Sequence, residues 1–159
     1  MAVASDVSEA SDLSDWQTRA LGRLRGGGRR AGGARDAVIS VLARHDCAIS
    51  AQEASELLTG EGREIGIASV YRAFETLHSL GLVRRLELGD GVARFEPALP
   101  SGAHHHHAVC EICGDVTPFD DEQLEAAMSS VEATLPHQVS SHEVVIHGTC
   151  ARCAEPSAA

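Results

Sequence analysis

The chain of 159 residues has no lysine, and its aromatic residues are few: one Trp, one Tyr and three Phe. So few large rings leave each half a modest core, which makes metal ligation and self-association natural sources of extra stability. No apolar run is long enough to cross a bilayer. The polar, acidic residues 2–14 lack the basic-then-apolar pattern of an export leader. These absences point to a soluble cytoplasmic protein with no membrane partner. The cysteine count is odd, and four of the five fall in C-x-x-C pairs. In a reducing compartment that spacing favours metal ligation over disulfides.

All thirteen basic residues are arginine, and the formal net charge is -10. That average hides an asymmetry. Residues 16–45 hold seven arginines against the single acid Asp36, whereas residues 101–159 hold nine acids against the single Arg152. A local basic patch, rather than the total charge, governs contact with phosphates.

Apolar spacing predicts helices over residues 13–25, with Leu13, Trp16 or Gln17, Ala20, Leu21 and Leu24 on one side, and over residues 34–44. Ser50 with Glu53 has the spacing of a capping box that opens a third helix through Leu58. The clearest helix spans residues 67–80, with Ile67, Val70, Phe74 and Leu77 as its buried stripe and Gly81 as its stop. Segments 82–88 and 92–95, joined by Gly89-Asp90-Gly91, read as a hairpin. Three helices and a hairpin describe a winged helix-turn-helix, whose last helix enters the major groove. Residues 97–103, with Pro97, Pro100 and Gly102, read as a hinge. Beyond it come a strand through the histidine run, a turn at Cys113-Gly114 and a short strand through Val116. A helix capped by Asp120 follows, with Leu124, Met128, Val131 and Leu135 inward and Pro136 as its end. A long alternating strand over 139–149 completes an α+β fold. The expected organisation is a disordered N-terminus (1–12), a DNA-binding domain (13–96), the hinge, a metal-binding α/β dimerisation domain (104–154) and a tail (155–159).

Two short segments carry most of the chemistry. Cys110-x-x-Cys113 and Cys150-x-x-Cys153 fit a tetrahedral Zn²⁺ site made wholly of thiolates, which leaves no open position and is therefore structural. The run His104-His105-His106-His107 stands just before it. Alternation along a strand sends His104 and His106 to one face and His105 and His107 to the other. Glu125 and His142 are the natural partners of the first pair. Glu96 is the nearest carboxylate for the second, with His45, Asp46 and Cys47 as possible further ligands. His78, His137 and His147 read as ordinary surface or packed residues, and Cys47 taken alone as a small buried hydrophobe.

The segment Ile65-Gly66-Ile67-Ala68-Ser69-Val70-Tyr71-Arg72, then Phe95-Glu96, then the histidine run with Cys110-x-x-Cys113, resembles the ferric uptake regulator family of bacterial metal-dependent repressors. The likeness covers about residues 28 to 153. It implies an N-terminal winged helix, a C-terminal dimerisation domain, and a homodimer that binds palindromic operator DNA when a divalent metal is present. It further implies DNA contacts from Ser69, Tyr71 and Arg72, with Tyr71 against a thymine methyl, and basic contacts from Arg30 and Arg35. Glu96, His105 and His107 match the family's regulatory site, while His104, His106, Glu125 and His142 match its second site. The chain departs from the family at Ala48, where many members carry a His, at Pro118, where iron-type members can supply a Glu, and at Gly32-Gly33, where Thr-Pro is usual.

The expected function is a metal-sensing repressor that controls metal homeostasis genes, with structural Zn²⁺ and with Fe²⁺ or Zn²⁺ as the regulatory ion. Phe95-Glu96 leans toward iron. Imidazole and carboxylate also suit Mn²⁺ and Ni²⁺. One competing reading is a peroxide or redox sensor of the same fold, ranked lower because such members favour Asp where Glu96 stands. The other is a zinc-dependent hydrolase, which needs an open coordination position and a general base in a cleft and leaves the basic helix-turn-helix unexplained.

Overall fold

A computed structural model describes residues 5–26, 33–45, 47–101 and 104–154. Arg30, Asp46, the 155–159 tail and part of the hinge are outside that set. The chain divides after His104 into two compact units.

In the first unit, α1 (Ser5–Gly26), α2 (Ala34–Leu42), α3 (Ala51–Gly60) and α4 (Ile67–Ser79) accompany a sheet of order β1-β3-β2. Its strands are β1 (Ile49–Ser50), β2 (Val83–Glu87) and β3 (Ala93–Pro97). Helix α1 starts at Ser5, so residues 5–12 are helical rather than the disordered end expected of them. Trp16, Ala20 and Leu24 bury its inner face, and the Trp16 indole N–H donates to the Leu82 carbonyl. That bond joins the helix to the start of the wing, a long-range tie that apolar spacing does not reveal.

The capping box forms as its spacing requires: Glu53 N–H donates to Ser50 Oγ (3.2 Å) and Ser50 N–H to Glu53 Oε2 (2.8 Å). Helix α4 ends in a Schellman motif. Leu82 N–H reaches Leu77 O (2.9 Å) and Gly81 N–H reaches His78 O (2.8 Å), with Gly81 at φ 65°, a conformation glycine adopts without steric cost. Val70, Ala73, Phe74 and Leu77 are buried, and Phe74 stacks on Phe95 with centroids 4.4 Å apart. Ile67 corrects the expected stripe: it is 47% exposed, because the first residue of the helix projects past the core. In the wing, β2 and β3 pair antiparallel, with Arg84 opposite Glu96 and Arg85 opposite Phe95.

The second unit is a three-stranded sheet of order β5-β4-β6 with α5 (Glu122–Glu132) and a short α6 (Ala151–Ala154). Strand β4 (His106–Cys110) pairs antiparallel with β5 (Val116–Phe119) and parallel with β6 (Val145–Gly148). The parallel pairing has a chemical consequence. Cys110 lies opposite Gly148, so the C-terminal ends of β4 and β6, each leading into a C-x-x-C, finish side by side.

Four local expectations are corrected here. Asp121 caps α5, not Asp120; its carboxylate accepts from Gln123 N–H (2.9 Å) and Leu124 N–H (2.8 Å). The helix ends at Glu132, before Pro136. None of its residues is buried, and Val131 and Leu135 are exposed. Their spacing marks an apolar face, which the described residues cover only in part, at Leu124 and Met128. Strand β6 is four residues long rather than the expected 139–149, since β4 offers a ladder only from His107 onward. Among the described residues, no helix is long and apolar enough to cross a membrane.

Candidate metal centres and nucleic-acid interface

The ends of β4 and β6 bring Cys110, Cys113, Cys150 and Cys153 together, with all four sulfurs within 4.8 Å of one another. Gly114, at φ 73°, folds the first C-x-x-C back: its N–H reaches Cys110 O (2.9 Å), while Cys110 N–H reaches Asp115 O (2.9 Å). The second pair is wound by α6, where Cys153 N–H reaches Cys150 O (3.0 Å). Cys113 Sγ and Cys150 Sγ are 3.7 Å apart. A tetrahedron with Zn–S of about 2.3 Å has edges of about 3.8 Å, so the spacing fits zinc.

Charge agrees with that fit. Cys150 N–H donates to Cys110 Sγ (3.4 Å). That contact, with those from the Cys113 and Ile112 amides, outweighs desolvation and pulls the Cys110 thiol down to about 6. Cys153 is pushed up to about 12, first by its contacts with the Cys113 and Cys150 sulfurs and then by desolvation. One thiolate therefore forms readily, while further anions in the cluster call for a cation to balance them.

On one face of β4, buried His106 points at α5. Its Nε2 is 2.7 Å from Glu125 Oε1, and its Nδ1 accepts from Val144 N–H (3.3 Å). His142 joins from the segment before β6, with its Nε2 3.3 Å from Glu125 Oε2 and its Nδ1 2.8 Å from Glu132 Oε1. Desolvation lowers the His142 pKa, but the bonds to Glu132 and then Glu125 outweigh it and hold the imidazole above its ordinary value. Two imidazoles thus converge on one carboxylate. On the opposite face His105 and His107 stand together, ring centroids 4.9 Å apart, with His107 buried and Glu143 Oε1 3.6 Å from its Nδ1. The alternation read from the sequence is therefore realised from His105 to His107.

In the first unit Glu96 is buried on β3, and Arg84 on β2 donates to its carboxylate. Register explains this partner, which sequence spacing alone did not identify. Cys47 and Ala48 are buried, and His45 Nδ1 is 3.0 Å from Cys47 O.

Arg35, near the start of α2, lines one shallow groove with Ser69 and Arg72 of α4. Arg72 Nη2 donates to Ser69 Oγ (3.2 Å). Tyr71 is exposed and meets Phe95 edge-on at 6.4 Å, away from the residues lining that groove. The groove is thus assembled from two helices, and its arginines can reach phosphates or base edges. Arg30 lies outside the described residues.

The model of the ferric uptake regulator family matches residues 27–147. The chain belongs to the ferric uptake regulator family. Members of this Fur family are metal-dependent transcriptional regulators, and the α+β fold with an N-terminal DNA-binding domain is theirs. The ferric uptake regulation protein of Bacillus subtilis is 35% identical over 121 residues, 75% of this chain and 81% of that one. Among solved structures, the Helicobacter pylori ferric uptake regulator, described with three functional metal binding sites, superposes with a TM-score of 0.75 at 26% identity, over 91% of this chain and 95% of that one. The Vibrio cholerae ferric uptake regulator gives 0.69 at 32% identity, over 80% and 97%.

Proposed function

We propose that this Fur-family chain is a metal-responsive repressor that binds palindromic operator DNA as a homodimer, with structural Zn²⁺ on Cys110, Cys113, Cys150 and Cys153. The observation that carries the reading is one chain holding both an arginine-lined groove on α4 and a histidine strand that serves two faces. We assign regulation to His105 and His107 with Glu96, and a supporting role to His104, His106, Glu125 and His142. Fe²⁺ is the favoured regulatory ion, with Zn²⁺ next.

A bound divalent ion supplies positive charge that His and carboxylate ligands can share. The residues do the rest. Arg84 fixes the Glu96 carboxylate on β3, and β4 holds His105 and His107 on a common face. A metal favours the DNA-binding arrangement only so far as its ligands bind it more tightly there. DNA and metal must then tighten each other's binding by the same factor. The groove residues Arg35, Ser69 and Arg72, together with Tyr71, exposed on α4 outside the groove, are proposed to meet the operator. Self-association is supported by the exposed apolar side chains Val131, Leu135, Val139 and Ile146 of the second unit, which a second copy would cover.

The deciding experiment is metal analysis of the purified protein together with titration of operator binding against Fe²⁺, Zn²⁺, Mn²⁺ and Ni²⁺. One ion should restore tight binding at a low free concentration. His105→Ala should abolish the metal response yet keep the dimer and its four-cysteine zinc, whereas His104→Ala should give a weaker but still responsive repressor. The reverse pattern would exchange the roles of the two faces.

A further inference from the structure

We propose that Glu132 is a positioning residue for the second metal site, holding His142 in the tautomer that binds metal. The inference rests on the reading of His106, Glu125 and His142 as ligands and adds a residue to it. Glu132 is the last residue of α5 and lies seven positions, two turns, beyond Glu125, so one face of the helix carries both carboxylates.

The two carboxylates meet opposite sides of a single imidazole. Glu132 Oε1 is 2.8 Å from His142 Nδ1, while Glu125 lies on the Nε2 side at 3.3 Å. Nε2 is also the nitrogen by which His106 faces Glu125, at 2.7 Å. The point where ligands converge is therefore bounded by the two Nε2 atoms and Glu125. Glu132 touches the ring from behind and is not itself a ligand. With Glu132 accepting the Nδ1–H, a neutral His142 must present its lone pair on Nε2, toward that point. This is the carboxylate–histidine–metal arrangement, in which the outer carboxylate fixes the ring's tautomer and orientation and raises its basicity.

His106 supplies an internal contrast. Its Nδ1 accepts from Val144 N–H, which leaves the proton on Nε2, facing Glu125. The contact from Val144 thus does not free Nε2 of His106, whereas Glu132 sets Nε2 of His142 as a ligating nitrogen.

The test uses the full-length protein with zinc in its four-cysteine site and His105→Ala in every variant, which removes the regulatory face, and Co²⁺ alone as the probe of the second site, its affinity measured by chelator competition. Glu132→Ala should weaken Co²⁺ binding by about 10- to 100-fold. Glu132→Gln, which keeps an acceptor oxygen, should recover most of that loss. Nitrogen-15 NMR of zinc-loaded protein should find His142 protonated at Nδ1 in the His105→Ala parent and lose that signature in Glu132→Ala. Thermal unfolding of the protein before cobalt is added should be alike in both variants. If His142→Ala and Glu125→Ala lose Co²⁺ while Glu132→Ala holds it as tightly as the His105→Ala parent, the role of Glu132 is overturned and the site stands. If His142→Ala and Glu125→Ala also retain Co²⁺, the site itself is misassigned and the proposal falls with it.

Discussion

Around Phe74 the first unit packs Trp16, Ile39, Leu42, Leu58, Leu77 and Phe95 into a continuous apolar core. Around His106 the second unit, among its described residues, buries only His106 itself, His107, Val109 and Cys110. The first unit excludes water with hydrocarbon, whose stabilisation grows with the area removed from solvent. The second has little hydrocarbon to bury and instead turns two imidazoles and the Cys110 thiol inward, and imidazoles are costly to bury unless something pairs with them. On the proposed function, the second unit needs its metal to order in a way that the first does not. The second unit would then be the part whose ordering a ligand controls.

The largest test of this contrast removes a sulfur. Cys113→Ser should lose the four-cysteine zinc, disorder the second unit and shift the protein toward monomer in sedimentation, because binding at such sites is coupled to folding. The fluorescence of Trp16, the only tryptophan and part of the first unit's core, should keep its native emission. A stable zinc-free dimer would show that the second unit does not depend on its metal. The converse variant, Phe74→Ala, should cost the first unit about 3–5 kcal/mol in denaturant melts followed by Trp16 fluorescence. Zinc content should not change.

The same contrast explains what was legible in the sequence. Hydrophobic period found α2, α4 and the part of α1 from residue 13 on, because in the first unit apolar spacing and burial coincide, and the Ser50–Glu53 spacing found α3. Ligand spacing found the four cysteines and the alternation of His105, His106 and His107, since period-two geometry and C-x-x-C turns are local. What failed was burial in the second unit. Val131 and Leu135 have core spacing but are exposed, and the segment before Val145 alternates without a strand to pair with. Both depend on partners that lie outside the local sequence. Glu132 and Arg84 went unnoticed for a related reason: each is defined by register against a distant residue, His142 or Glu96.

A smaller effect separates DNA contact from stability. Arg72 is exposed and, among the described residues, its guanidinium bonds only Ser69 of its own helix. Arg72→Ala should therefore leave melting and metal content unchanged. It should weaken operator binding by about 1–3 kcal/mol in gel shifts at matched salt, the range for a contact that discriminates a base. If the loss is the same on unrelated DNA, Arg72 is a phosphate contact instead.

The smallest expected effect lies in the wing, where the first unit relies on a charge rather than on hydrocarbon. Asp90 sits between Gly89 and Gly91; its carboxylate accepts from Val92 N–H (3.0 Å) and pairs with nearly buried Arg94 (2.7 Å). Desolvation raises the Asp90 pKa, but the Val92 and Arg94 bonds outweigh it, so the folded value lies below the ordinary 3.8. A carboxylate depressed in the folded state adds stability that is fully present above its unfolded value and disappears as pH falls through the folded one. Asp90→Asn should thus lower the melting temperature of the first unit at neutral pH, read by Trp16 fluorescence. The difference from wild type should shrink once the pH drops below about 4, where the unfolded carboxyl begins to protonate. A difference that stays constant through this range would mean that Asp90 acts through turn geometry alone, with no contribution from its charge.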